Sequence, residues 1–537
     1  MRLIQLLVAA SALLLFLGLD ASTIWDANEA YYVETPRQMV QSGDYVNPSF
    51  NGAPRFNKPV LSYWVVAAFY KVFGVSVWAE RVAIAIGALG IAAAAFVIAR
   101  VAWSLRAAWI AALVMLSAPR VVFFARRIFI DVWITMFMSL VLMFFVLAEA
   151  RPHHRRRYLL LMYAAAGLGV LTKGPVALVL PALAFGVYLL VERRLRDIPR
   201  MHLVSGALIV LAIVAPWYAM VYAEHGWTYI RDFFIGENLG RYSDTYGQQA
   251  RPVYFYVPVL LTELFPWSLF VPVALWAGWH RARAGSHLER LLLAWIAVIV
   301  LVFTFSSTKQ DLYIFPIAAA LAALIAGLLD RAIDGEQPAA TQAFWTWPVI
   351  AAVMLLFWAG LQWLFGVEAS RYYIRGAFVA GLLLAAGAAV LFVLWWKRRH
   401  LFAIAALGIS FVAVNYTLVL IALPDFERFK PVAPLSAAAR ARHPDARVVQ
   451  YRVALPSMVW YLGRPVEEVL DEPVLRDRLA RDGETLVLLK EGDYPAVQAL
   501  APTCIIDRKP LLDVKLREIM AGTALPEMLL VSNRCEE

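Results

Sequence analysis

The chain has 537 residues, 62% of them hydrophobic and only 16% charged, with a mean hydropathy of +0.66. A soluble domain is roughly 45–50% apolar and about 25% charged, so a soluble enzyme, a disordered tail and a fibrous protein are all excluded. The formal charge of +10 is unevenly placed: residues 424–537 hold 16 Lys and Arg against 18 Asp and Glu, which leaves a net +12 on residues 1–423.

This shift in composition divides the chain into a transmembrane domain, 1–423, and a small water-soluble domain, 424–537. A crossing helix needs about 20 mostly apolar residues. Stretches near 3–19, 80–101, 106–124, 132–150, 158–172, 175–191, 203–222, 253–279, 291–305, 312–329, 343–365, 376–396 and 401–423 qualify. The expected fold is therefore an α-helical polytopic membrane protein of about thirteen transmembrane helices plus a small C-terminal α/β domain. The first stretch lacks a clear cleavage site and is read as an anchor.

Cytoplasmic loops retain cations, and alternate connections here do so. Together with Arg2, the connections around Arg100, Arg106, Arg151, Arg155, Arg193, Arg200, Arg281, Arg290, Arg331 and Lys397 carry 18 Lys and Arg. That side is read as cytoplasmic, with the N-terminus. Residues 20–79, 223–252 and 424–537 then fall on the outer side.

In the first outer loop, residues 29–42 show helical spacing up to Gly43, and 59–73 are apolar but short. Both are read as helices lying along the membrane surface. In the terminal domain, β-rich runs at 447–453, 485–489, 504–507 and 528–532 alternate with helical patterns at 473–481 and 494–500. Cys504 and Cys535, the only cysteines, either pair as a disulfide if the domain is exported or remain two buried thiols. No catalytic motif falls in this domain, which is read as a cap or recognition lid.

Candidate chemistry gathers on the outer side. The first loop packs Asp26-Ala-Asn-Glu-Ala-Tyr-Tyr32, Ser42-Gly-Asp-Tyr45 and Phe56-Asn-Lys-Pro59 into one segment, dense in acids and aromatics. Arg126-Arg127-Ile-Phe-Ile-Asp131 follows an apolar run. A carboxylate at the bilayer centre costs about 2.5–3.5 kcal/mol, so Asp131 belongs at a helix end facing water or protein. An exposed Arg127–Asp131 pair would return only about 0.3–0.5 kcal/mol, which favours a functional role. Leu171-Thr-Lys-Gly-Pro175 and Ser306-Ser-Thr-Lys-Gln-Asp-Leu-Tyr313 each break an apolar run with a lysine on the same side. Phosphate-level cations thus include Lys58, Arg120, Arg126, Arg127, Lys173 and Lys309.

These blocks, together with Glu237-Asn238 and Phe265-Pro-Trp-Ser268, occur in an order that resembles the bacterial polyprenyl-phosphate-dependent glycosyltransferases of the C superfold. The aminoarabinose transferases of lipid A are the nearest named members, and protein O-mannosyltransferases are related to them. The resemblance implies transfer of a sugar from undecaprenyl phosphate to a lipid or glycan acceptor, with no nucleic-acid partner. It assigns Asp131 as a base or acceptor-positioning group, with Glu29 and Asn28 beside it in the catalytic set. Lys58, Arg127, Lys173, Lys309 and Tyr313 are the implied ligands of the donor phosphate, with Asp26, Arg126 and Glu237 as further candidates.

Three departures from the family pattern matter. Asn28 stands where an Asp precedes the Glu, and Asn57 where the aminoarabinose transferases commonly have a Glu, which weakens the case for a divalent cation and leaves it undecided. Gln248 lies in a stretch where relatives often place a His. Asn cannot take a proton. A hydroxyl acceptor must lose one, whereas the phosphate of lipid A is already an anion and needs only positioning. The sequence therefore points to a phosphate acceptor, or to a hydroxyl served by Asp131. The rivals are a protein or glycan O-glycosyltransferase, a transporter of lipid-linked sugars and a non-catalytic assembly protein. Charges gathered at one face rather than the midplane speak against the transporter.

Overall fold

A computed structural model of the chain describes residues 1–127, 129–240, 251–367, 373–511 and 524–535. The membrane part is a bundle of helices: α1 (Arg2–Leu14), α2 (Asn28–Ser42), α3 (Leu61–Phe73), α4 (Val77–Ala102), α5 (Leu105–Ser117), α6 (Pro119–Phe124), α7 (Phe129–Ala150), α8 (Arg155–Lys173), α9 (Val176–Val191) and α10 (Leu203–His225). They are followed by α11 (Tyr256–Glu263), α12 (Val271–Arg283), α13 (His287–Thr304), α14 (Ala318–Ile333), α15 (Ala339–Leu361), α16 (Arg375–Trp396) and α17 (His400–Thr417).

All thirteen apolar stretches are helical, but among the described residues only eight helices are long and apolar enough to cross a membrane. The number is nine if α11 and the segment through α12, bent by 117°, count as one broken span. The difference from thirteen is one of length. At 1.5 Å per residue the 13 residues of α1 or α5 reach about 20 Å against a hydrocarbon core of about 30 Å. α8 begins with Arg155, Arg156 and Arg157, which dilutes its apolar run.

Ion pairs join loops that the charge rule puts on one side. Arg106 binds Asp334 at 2.6 Å, Arg281 binds Glu289 at 2.7 Å, Glu149 takes Arg194 at 2.5 Å and Arg155 at 3.1 Å, and Arg290 meets Glu192 at 2.8 Å. At the other face the first loop meets the terminal domain. The Asn51-Gly52 turn of the hairpin β1 (Ser49–Phe50) and β2 (Ala53–Pro54) has positive φ at both residues, the backbone such a two-residue turn demands. The Asn51 amide then bonds the Val466 carbonyl and N–H at 2.7 and 2.8 Å.

α2 ends where the sequence places it, with Gly43 in the left-handed region at φ +76°. The helical path of α17 continues through residues 423 and 424 as far as Phe429. The terminal domain is a five-stranded sheet in the order β4-β3-β5-β7-β6, built from β3 (Arg447–Tyr451), β4 (Glu467–Val469), β5 (Thr485–Lys490), β6 (Cys504–Pro510) and β7 (Glu527–Ser532). β3 runs parallel to β4 and β5, whereas β7 is antiparallel to β5 and β6. Alternate residues of β5 enter two cores: Leu486 and Leu488 face one, Val487 and Leu489 the other. This is why the strand reads as an unbroken apolar run. The predicted strands and helices are present. β4 and two further helices, Val432–Arg442 and Ser457–Leu462, join them. Cys504 and Cys535 form a disulfide.

One buried cation organises the face that holds the first loop. Arg81, at the start of α4, is 1% exposed and donates to Glu29 at 2.6 and 3.1 Å, to the carbonyls of Leu19 and Ser22 at 2.5 and 2.8 Å, and to that of Thr23 at 3.1 Å. Removing one member of a buried pair leaves an uncompensated charge and costs about 3–5 kcal/mol. Arg81→Met should therefore lower the melting temperature of the detergent-solubilised protein much more than Arg196→Met, which changes an exposed cation on the opposite face. Equal melting temperatures would contradict this role.

Candidate functional site

The site is built around the first turn of α7. Asp131 lies in that turn, 8% exposed, and its carboxylate forms an ion pair with Lys173 Nζ. Lys173 is the last residue of α8, and Gly174 breaks the helix at φ +104°, ψ −165°, a backbone open only to glycine. Lys173 Nζ also lies 5.6 Å from the centre of the Tyr313 ring. Two of the predicted helix breaks thus meet the predicted aspartate, from three separate parts of the chain.

An aromatic column sets the turn that carries Asp131. Tyr63 of α3 stacks on Tyr32 of α2 at 5.6 Å, Tyr32 on Phe129 at 5.7 Å, and Phe129 on Trp133 of α7 at 5.5 Å. Such pairs add about 0.5–1.5 kcal/mol each beyond area burial. Lys58 leads into α3, which packs against both α7 and α8 and so brings the loop to the same face.

The other predicted residues divide. Glu29 is fully buried, held by Arg81 and accepting from the Trp25 N–H at 2.7 Å, which leaves it to position the loop rather than to meet substrate. Asn28, one residue earlier, is exposed at the start of α2. Asp26 accepts the Ser457 N–H at 2.7 Å and its hydroxyl, tying the loop to a helix of the terminal domain. Arg126 caps the end of the first helical segment, donating to the carbonyls of Leu14 at 3.3 Å, Leu17 at 2.8 Å and Gly18. Arg127 lies over the Phe123 ring at 3.5 Å and the Trp25 ring at 5.0 Å, and burial lowers its pKa to about 10. Lys309 is 8% exposed and bends back to the Ser306 carbonyl at 2.7 Å. Glu237 falls in the helical turn Asp232–Gly240, and Gln248 lies outside the described residues.

Sequence reasoning missed Arg81 and the buried Glu80 beside it, because both sit at the start of an apolar run and read as its boundary. It placed Arg120 among the phosphate-level cations but gave no sign of its pairing with Glu263 and Asp311. Among the described residues no three or more His, Cys, Asp or Glu are grouped to hold a metal ion.

Comparison with known proteins adds to this geometry. The family model described as dolichyl-phosphate-mannose-protein mannosyltransferase matches residues 57–219. The undecaprenyl phosphate-alpha-4-amino-4-deoxy-L-arabinose arabinosyl transferase 2 of Pseudomonas fluorescens is 31% identical over 62% of this chain and 58% of its own length. That of Pseudomonas aeruginosa is 32% identical over 60% and 58%. The chain is thus similar in sequence to undecaprenyl-phosphate-dependent arabinosyl transferases and, in part, to the protein mannosyltransferase family. The fold extends further than the sequence match. The crystal structure of ArnT from Cupriavidus metallidurans bound to undecaprenyl phosphate superposes with a TM-score of 0.83 over 99% of this chain and 98% of that one, at 23% identity. An Archaeoglobus fulgidus oligosaccharyltransferase shares the architecture more loosely, with a TM-score of 0.54 at 12% identity. By sequence the chain matches under three fifths of the length of these curated relatives.

Two predictions follow from the geometry. Gly174→Val forces a β-branched residue into a backbone costing of order 1–3 kcal/mol; it should displace Lys173 and reduce turnover at least as much as Lys173→Met, while the protein still purifies as wild type. Lys430 Nζ contacts the Thr23 carbonyl, lies 3.2 Å from Glu427 and 4.2 Å from the Trp25 ring, and burial lowers its pKa to about 8. Its charged form is disfavoured in the fold, so above pH 8 the unfolded chain binds the extra proton and this group's contribution to stability rises up to its ordinary value near 10.5. Subtracting the melting curve of Lys430→Met should leave a positive slope between pH 8 and 10; a flat difference would contradict the assignment.

Proposed function

We propose that the chain moves a sugar from an undecaprenyl-phosphate-linked donor to a phosphate of lipid A, or of a similar cell-envelope acceptor, at the periplasmic face of the bacterial inner membrane. The observation that carries this reading is the meeting of Asp131, Lys173 and Tyr313 on the face that also holds the first loop. The curated relatives, named for aminoarabinose transfer, support the donor class.

In the reaction the bond between the anomeric carbon and the donor phosphate oxygen breaks, and the phosphate keeps the electron pair. An acceptor oxygen forms the new bond to that carbon. The carbon becomes oxocarbenium-like while charge grows on the departing lipid phosphate. Preorganised cations aimed at that charge lower the barrier. Lys173 is placed for this, with Arg127 and Lys58 as further candidates, and Tyr313 offers a hydroxyl to the phosphate. Lys309 holds the helix break instead of reaching out. The Asp131 carboxylate is occupied by the Lys173 ammonium and would have to release it before taking a proton, which favours an acceptor that is already ionised. A hydroxyl acceptor is the second reading, and it draws on the match to the protein mannosyltransferase model.

The N-terminus is assigned to the cytoplasm because the cation-rich loops lie on its side. The Cys504–Cys535 disulfide suits an oxidising compartment for the terminal domain. In intact cells treated with a reductant, a maleimide that cannot cross the inner membrane should then label both cysteines; labelling only after lysis would reverse the topology.

Mass spectrometry of lipid A and of polyprenyl lipids from cells with and without the gene tests the activity. Loss of a sugar from lipid A supports the phosphate reading, and loss from a glycoprotein or surface glycan with lipid A unchanged supports the hydroxyl reading. In a purified lipid-linked sugar transfer assay Asp131→Asn should lower turnover by about 10²-fold, because Lys173 loses the carboxylate that positions it. Undiminished activity removes Asp131 from the mechanism.

A further inference from the structure

Arg120 stands at the edge of the site, outside every motif block. It lies in the first turn of α6, with its guanidinium over the Phe124 ring at 4.6 Å. Nε faces Glu263 at the end of α11 at 3.5 Å, and Nη2 donates to Asp311 at 2.9 Å. Glu263 is fully buried, and among the described residues neither of its oxygens has a hydrogen bond, so the arginine supplies its compensating charge. Asp311 is half exposed and opens the turn Asp311–Ile317, which carries Tyr313.

The same turn is held at two neighbouring points. Tyr256 of α11 donates its hydroxyl to the Gln310 carbonyl at 3.1 Å, and Phe124 meets Phe315 edge to face at 5.3 Å. Arg120 is the one charged link in this set, and it spans α6, α11 and the turn at once. A guanidinium presents its donors in a fixed fork and can serve two carboxylates in a set geometry, which an ammonium on a flexible stem does not reproduce. The turn so held carries the Tyr313 ring, whose centre lies 5.6 Å from Lys173 Nζ.

We propose that Arg120 is a positioning residue for the donor: clamped between Glu263 and Asp311, it sets the affinity for the lipid phosphate by holding the turn that presents Tyr313. This rests on the donor reading above. The test uses the full-length protein in detergent with undecaprenyl phosphate as the probe, comparing Arg120→Lys, Asp311→Asn and the double variant. Native mass spectrometry reads lipid binding, amide hydrogen exchange reads residues 310–315, and kinetics separate KM from kcat. Arg120→Lys should weaken lipid binding about tenfold, equivalent to about 1.4 kcal/mol, and speed exchange in the turn. The loss should fall on the donor KM, with kcat held within about twofold. The double variant should lose little more than either single one, because both remove the same contact.

Unaltered lipid binding in the variants beside normal binding by the wild type overturns this proposal alone, as does faster exchange without weaker binding. A wild-type protein that binds no undecaprenyl phosphate overturns the donor reading and this proposal with it. If Arg120→Lys fails to fold because Glu263 loses its partner, Asp311→Asn, on the half-exposed side of the clamp, decides the matter by the same readouts.

Discussion

A guanidinium buried at the edge of a membrane must find acceptors within the protein, because neither lipid nor water is there to supply them. Arg81 meets that demand with a carboxylate and three backbone carbonyls drawn from residues 19–29, a stretch that follows α1 and runs into α2. The rest of the face that holds the first loop depends on this. Glu29 is fixed at the start of α2, Arg126 caps the carbonyls just upstream, and Asp26 reaches across to the terminal domain. With α2 set, Tyr32 stands between Tyr63 and Phe129, and the column of rings sets the turn that bears Asp131.

The same physics accounts for the division of labour among charged residues. Cations on the N-terminal face pair with nearby acids and close the loops there. On the opposite face the charges are of two kinds. Arg81, Arg126 and Lys309 are spent on backbone carbonyls and carboxylates that hold structure. Arg127 lies over aromatic rings, and Lys173 reaches both the aspartate and the tyrosine. In the proposed reaction a leaving group that gains charge as its bond breaks needs donors already in place, and the second kind, with Lys58, are the candidates for that.

Much of the architecture was legible in the sequence because its signals are local. Apolar runs marked the long helices of the bundle, helical spacing and Gly43 marked α2, and the unbroken run of β5 betrayed a strand buried on both faces. The order of motif blocks pointed to the relatives, and the lysine at a Gly-Pro break stands beside Asp131. What remained hidden was pairwise. Glu29 resembles a catalytic acid in its motif, and only the presence of Arg81, 52 residues away, makes it a structural anchor. Arg120 and Glu263 belong to different helices with nothing in their neighbours to join them. Length misled in the other direction: helices such as α5 satisfy an apolar pattern without the residues to cross 30 Å of hydrocarbon.

The central claim is that Lys173 and Tyr313 bind the phosphate of a polyprenyl lipid, next to the Asp131 that pairs with Lys173. An experimental structure of the full chain in a lipid nanodisc with undecaprenyl phosphate would test it most directly. The account requires density for the phosphate within about 4 Å of Lys173 Nζ and within hydrogen-bonding reach of the Tyr313 hydroxyl, with the polyprenyl chain running back into the bilayer. A phosphate resolved against the cation-rich face of Arg155 and Arg194, or one remote from all three residues, would contradict it.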